Sequence, residues 1–172
     1  NFEKAFQHLK SALDKNPHNE KYYLFMMELY MKSGDFQKAE QTALTGIKNA
    51  ENPFAISDSL GKEYFLRGEY ELAQQMFLHS VNSNSNDDFA YFMLGNLAAL
   101  KGGYNEALNY YTIAIFLNKD EAEYYFKRGV VFFELKKYKL AKEDMEKAVK
   151  KGFNIDNNLK KEIENFLTRG EK

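Results

Sequence analysis

The stretch DFAYFMLGNLAALKGGYNEALNYYTIAIFLNKDE, residues 88–121, decides the fold. Its aromatic–alanine pair, Tyr104 and Ala107, recurs in both directions as Phe2 and Ala5, Phe36 and Ala39, Tyr70 and Ala73, and Tyr138 and Ala141, at a spacing of 34 residues without a slip. A tandem unit of that length is too short to bury a core of its own, so its neighbours must stack against it. The period therefore predicts an all-α chain of helix-turn-helix units, a solenoid, and with it a binding scaffold as the class of function.

The same phase carries side-chain size. Counting units from residues 20, 54, 88 and 122, the eighth position reads Met27, Gly61, Gly95 and Gly129, and the twenty-seventh reads Gly46, Ser80, Ala114 and Ala148, with Ala12 at the same phase of the first, partial unit. A glycine inside a helix costs roughly 1 kcal/mol relative to alanine. Three in one phase need a compensating gain, and close approach of two helices supplies it. Bulky residues at the eleventh and seventeenth positions then fill the space around that crossing.

Ser33-Gly34-Asp35, Arg67-Gly68-Glu69, Lys101-Gly102-Gly103 and Lys136-Lys137 separate the halves of the four units. Glycine just past a helix supplies the left-handed residue that closes its last turn, and an acidic residue after it can start the next helix. The fourth turn lacks glycine, so either Lys136 or Lys137 takes the left-handed conformation or the turn differs. Asn16-Pro17-His18-Asn19, Asn52-Pro53, Asn86-Asp87 and Asn118-Lys119-Asp120 carry turn and cap chemistry between units.

This pattern resembles the tetratricopeptide repeat. In residues 88–121 the motif positions are met by Tyr91, Leu94, Gly95, Gly102, Tyr104, Ala107, Tyr111 and Ala114. Departures are Ser57 at position 4, Arg128 at 7, Met27 at 8 and Ala98 at 11, and the proline of position 32 appears only as Pro17. The resemblance implies a right-handed α-α superhelix: a second helix of a truncated repeat in 1–19, repeats at 20–53, 54–87, 88–121 and 122–155, and a capping helix at 156–172, where Ile163 and Phe166 follow helical spacing. It also implies that the first helix of each pair lines a concave groove. The partner-binding residues so expected are Leu24, Glu28, Met31, Asp58, Lys62, Phe65, Phe89, Phe92, Asn96, Phe126, Lys127, Val130 and Phe133. A subtype of the family that grips the C-terminal carboxylate of chaperone tails places lysine and asparagine at positions 5 and 9 of one repeat; here Leu24 and Glu28, or Phe92 and Asn96, stand there. The carboxylate clamp is absent, and a peptide or helix with apolar anchors is the expected ligand.

Bulk properties exclude other classes. The chain of 172 residues is 44% hydrophobic and 28% charged, an ordinary soluble composition able to bury a core. A net charge of −1 gives no overall attraction to nucleic acid or membrane. Locally, residues 122–172 are basic, with Lys136, Lys137, Lys139, Lys142, Lys147, Lys150 and Lys151 around Tyr138 and Phe153. Glu143, Asp144 and Glu146 interrupt them, so binding of an acidic or nucleic-acid partner is a minor alternative. No apolar run is long enough to insert in a membrane. The absence of cysteine leaves the compartment open, cytoplasmic or periplasmic. His8, His18 and His79 fall at unrelated phases without metal-ligand spacing, and no phosphate loop or paired carboxylates are present. The expectation is a non-catalytic scaffold without cofactor. Residues 1–15 carry the second-helix pattern without a first helix over it, which suggests a fragment of a longer repeat protein or, alternatively, a homodimer formed through that face.

Overall fold

The computed structural model describes residues 2–154 and residue 161; the expected capping helix at 156–172 lies outside the described residues apart from Lys161. The helices, in chain order, are α1 (Phe2–Lys15), α2 (Glu20–Lys32), α3 (Phe36–Asn49), α4 (Phe54–Leu66), α5 (Tyr70–Ser83), α6 (Asp88–Leu100), α7 (Tyr104–Leu117), α8 (Ala122–Glu134) and α9 (Tyr138–Lys150). No strand occurs among the described residues. The first helices of the four complete pairs begin at 20, 54, 88 and 122, and the second helices at 36, 70, 104 and 138. The period read from the sequence is thus the period of the structure, an all-α helical repeat.

The chain divides into two compact units, Asn1–Ser85 and Asn86–Lys172. In the first, α2 pairs with α3 and α4 with α5, α1 lies against α2, α3 against α4, and α2 runs beside α4. In the second, α6 pairs with α7 and α8 with α9, α7 packs on α8, and α6 lies beside α8.

Each hairpin closes in the same way. In the first, the Asp35 amide donates to Tyr30 O (2.9 Å) and the Gly34 amide to Met31 O (3.0 Å), the paired bonds that end a helix through a left-handed residue. The fourth turn repeats this with Lys137 to Phe132 O (2.8 Å) and Lys136 to Phe133 O (2.9 Å), and Lys136 takes φ 58° where the other turns hold glycine. Asp35 also starts α3 as expected, accepting from the Lys38 amide (3.1 Å). Glu69 makes no such side-chain bond to α5 and instead accepts from Arg67 Nε (2.7 Å).

Close helix approach explains the small residues. A methyl group on Gly95 would come within 2.6 Å of the Tyr111 ring, on Gly61 within 3.0 Å of the Phe77 ring, and on Gly129 within 3.0 Å of Met145. Phe77, Tyr111 and Met145 all occupy position 24 of their units, opposite the glycine at position 8. In the first pair the sizes are exchanged: Met27 stands at position 8 and Ala43 at position 24, both buried. The departure at Met27 is therefore matched by a small residue in the facing helix.

Two further departures have polar partners. Ser57 is fully buried; its hydroxyl donates to Pro53 O (3.1 Å) and accepts from His79 Nδ1 (2.9 Å). Arg128 forms a two-bond pair with the buried carboxylate of Asp144, Nε to Oδ2 at 2.6 Å and Nη2 to Oδ1 at 3.0 Å, while Nη1 donates to Thr112 Oγ1 (3.1 Å). A buried carboxylate needs such compensation.

Candidate functional site

The residues expected to line a groove sit on the first helix of each pair. In the first unit, α2 carries Leu24, Glu28 and Met31, and its neighbour α4 carries Asp58, Lys62 and Phe65 at the same phases. Steps of four and three residues place each trio on one side of its helix. Glu28 and Lys62 are exposed; Leu24, Met31, Asp58 and Phe65 are half-buried. Glu28 is paired with Lys32 along the helix (2.6 Å), and the Phe65 ring leans on Tyr70 at 5.6 Å.

In the second unit, α6 carries Phe89, Phe92 and Asn96, and α8 carries Phe126, Lys127, Val130 and Phe133. Phe92 departs from expectation: it is only 5% exposed, with its ring 4.6 Å from Tyr124 and 5.8 Å from Tyr111. It is a core residue here, because the tyrosines that follow it in α7 and α8 close over its ring. Phe89, Asn96, Phe126, Lys127, Val130 and Phe133 remain half-buried. Phe126 stacks on Phe153 at 4.4 Å, Val130 packs toward Met145, and Phe133 meets Tyr138 edge-on at 5.5 Å.

Polar groups in this unit are held in place. Asn96 Oδ1 accepts from the Tyr111 hydroxyl (2.7 Å), and Asp88 Oδ2 accepts from both Tyr124 (2.7 Å) and Asn118 (3.0 Å). Burial, then the Asp88 carboxylate, pushes the Tyr124 phenol far above its ordinary range; burial does the same for Tyr111. Both stay neutral and serve as fixed donors. Among the basic residues of this unit, Arg128 and Lys147 pair with Asp144, and Lys151, just past α9, pairs with Asp120 (3.1 Å).

Two exposed apolar side chains were not singled out by sequence reasoning. Phe116 is 75% exposed on α7, and Leu66 is 68% exposed at the end of α4. The signal for Phe116 was present, since the other units carry Lys48, Asn82 and Lys150 at its phase. Among the described residues, no group of three or more His, Cys, Asp or Glu side chains is placed to hold a metal ion, and no helix is long and apolar enough to cross a membrane.

Comparison with known proteins agrees with this architecture. Profiles of the family described as "Tetratricopeptide repeat" match residues 1–57 and 92–152, together more than half of the chain. No curated protein matches it in sequence. Among solved structures, MamA superimposes with a TM-score of 0.73 at 21% identity, over 87% of this chain and 88% of that one. The Pseudomonas aeruginosa protein PilF gives a TM-score of 0.76 at 14% identity, over 90% of this chain and 70% of its own. The first tetratricopeptide domain of RPAP3, solved with an HSP90 peptide, gives 0.63 at 18% identity, over 69% of this chain and 94% of its own. At such identities the likeness concerns the fold. With the 34-residue register, the hairpin closures and two matching profiles in place, the chain belongs to the tetratricopeptide repeat family.

Proposed function

We propose that this chain is a non-catalytic scaffold that holds a peptide or helix of a partner protein against the first helices of its repeats, without a cofactor. The family is one of protein–protein interaction scaffolds, which supports the class. The observation that carries the finer reading is the row of half-buried side chains on α8, Phe126, Val130 and Phe133, with Phe89 on α6. Aromatic side chains that keep solvent access can anchor an apolar ligand, and aromatics are frequent hot spots of interfaces. Lys127 and Asn96 beside them supply polar contacts. The ligand differs in kind from an acidic carboxylate tail, because Phe92 and Phe126 stand where the clamp lysine would be.

The experiment is affinity capture with the wild type and a Phe89→Asp/Phe133→Asp variant, with helicity of both checked by circular dichroism. Phe92 is unsuited to this comparison because its replacement would strike the core. A partner retained by the wild type and lost by an equally helical variant supports the groove. Capture of the same partners by both would remove it.

One observation favours a second reading, self-association through α1. Ala5, Leu9 and Ala12 stay half-buried, whereas the residues at their phases, such as Ala39, Ala43 and Gly46, are buried in every complete pair. Sedimentation that shows a concentration-dependent dimer, abolished by Leu9→Asp, would support it; a monomer at all concentrations would dismiss it.

A further inference from the structure

The face that α6 and α8 present in the second unit is mostly apolar. Phe89 on α6 and Phe126, Val130 and Phe133 on α8 are half-buried, and the polar residues set among them are Asn96 and Lys127. Phe126, Val130 and Phe133 follow steps of four and three residues, so they form one stripe about 10 Å long.

Lys127 is a half-buried cation left without a counter-charge. Arg128 and Lys147 pair with Asp144, and Lys151 pairs with Asp120, whereas Lys127 has no carboxylate partner among the described residues. Glu123, one turn before it on α8, forms no ion pair with it either. Covering such a lysine with an apolar ligand would strip its remaining water at a cost in free energy. A carboxylate brought by the ligand offsets that cost and fixes the ligand's register.

The backbone of the ligand has little to bond to here. Asn96 Oδ1 already accepts from Tyr111 (2.7 Å), and its Nδ2 lies 3.7 Å from Met93 Sδ. Lys127 can only donate, and the backbone groups along the middle of α6 and α8 bond within those helices. An extended peptide laid over the apolar row would leave its own N–H groups unpaired and shielded from water, which is costly. A helix satisfies its own backbone and presents apolar residues at i, i+4 and i+7 over the length of the stripe. Building on the groove reading proposed above, we infer that this face binds an amphipathic helix whose apolar anchors are flanked by a carboxylate that meets Lys127.

The test is fluorescence anisotropy of the intact chain with three labelled, alanine-rich peptides of about 16 residues. The first has leucine at i, i+4 and i+7 with glutamates beside them, the second has lysines in place of the glutamates, and the third is the first with a proline between the anchors, which breaks the helix. The glutamate helix should bind saturably with a Kd on the order of 100 μM or tighter. The lysine helix should bind at least about fivefold more weakly, and Lys127→Glu should reverse that preference. The proline peptide should lose about tenfold. Phe133→Asp should abolish binding, with Phe89→Asp as the substitute if circular dichroism shows the former to lose helicity. A proline peptide that binds as tightly as the glutamate helix, and is lost with Phe133→Asp, overturns the inference while the groove stands. Equal binding of the glutamate and lysine helices, or a preference unchanged in Lys127→Glu, overturns it too. Absence of binding by all three peptides, or binding indifferent to the groove substitutions, removes the groove reading and the inference together.

Discussion

At the scale of the residue, the backbone and the nearest neighbour decide which side chain is tolerated. Gly95 shows the competition clearly. Alanine there would gain roughly 1 kcal/mol of helix propensity, yet its methyl group would sit 2.6 Å from a ring carbon of Tyr111. Tyr111 is fully buried and its hydroxyl is held by Asn96, so the ring has little room to retreat, and overpacking of this kind costs about 1–3 kcal/mol. Gly95→Ala is expected to destabilise the fold by up to about 2 kcal/mol in urea unfolding; a more stable variant would contradict the close approach. Lys136 presents the opposite case. Its φ of 58° is the conformation glycine adopts in the other hairpin turns. Relief of left-handed strain worth about 1–2 kcal/mol exceeds the added chain entropy of glycine, so Lys136→Gly should stabilise by about 0.5–1 kcal/mol, read as a higher urea midpoint. The turn that holds this strained residue was legible in the sequence, because three turns with glycine marked the fourth as the exception; the choice between Lys136, Lys137 and a different turn was not, and the structure places it at Lys136.

At the scale of the element, what was hidden in the sequence is pairing between helices. Helix starts and turns follow local chemistry repeated in register, and the four hairpins fall where the period put them. Burial of Phe92 does not follow its register position, since Leu24, Asp58 and Phe126 share that phase and stay half-buried. It depends on Tyr124 in the next repeat, a contact that no local pattern reports. Arg128 is an isolated departure in its own helix, and its partner Asp144 lies in α9, at a phase held by Thr42, Met76 and Tyr110 elsewhere. Two departures facing each other across a hairpin were the available signal. Arg128→Met alone leaves the Asp144 carboxylate buried without its main partner, and a loss of about 3–5 kcal/mol is expected. Arg128→Met with Asp144→Leu should recover most of it, since apolar replacement of both partners is often neutral. Equal losses for the single and double variants would show that the pair contributes little. The exchange of Met27 and Ala43 makes a parallel case. Met27→Ala should cost about 2–4 kcal/mol by leaving a cavity, and adding Ala43→Leu should restore part of that stability. Additive effects in that double-mutant cycle would mean that the two positions do not share one space.

At the scale of the whole molecule, the same device of buried phenols occurs in both units and couples each to alkaline pH. Tyr64 lies in the first, its hydroxyl donating to Glu40; Tyr111 and Tyr124 lie in the second. Burial is the first cause that pushes all three phenols far above their ordinary value of 10.0, aided at Tyr64 by Glu40 and at Tyr124 by Asp88. The sign follows from linkage. In the unfolded chain these phenols lose protons near pH 10, while the folded chain retains them, so their contribution is complete below about pH 10 and declines as pH rises toward the folded values. Each retained proton steepens the decline by up to about 1.4 kcal/mol per pH unit. The second unit has two of these phenols to the first unit's one, so it should weaken first. Urea unfolding from about pH 9 to about pH 11, with phenolate absorbance recorded beside helicity, is the measurement. Stability should fall beyond pH 10, and the absorbance of the protected tyrosines should rise only as helices are lost. Tyr124→Phe should reduce the slope while lowering stability at neutral pH through loss of its bond to Asp88. Full phenolate absorbance in a chain that stays helical, or a stability that is flat above pH 10, would show that solvent reaches these rings and that the repeats are less tightly closed than their packing indicates.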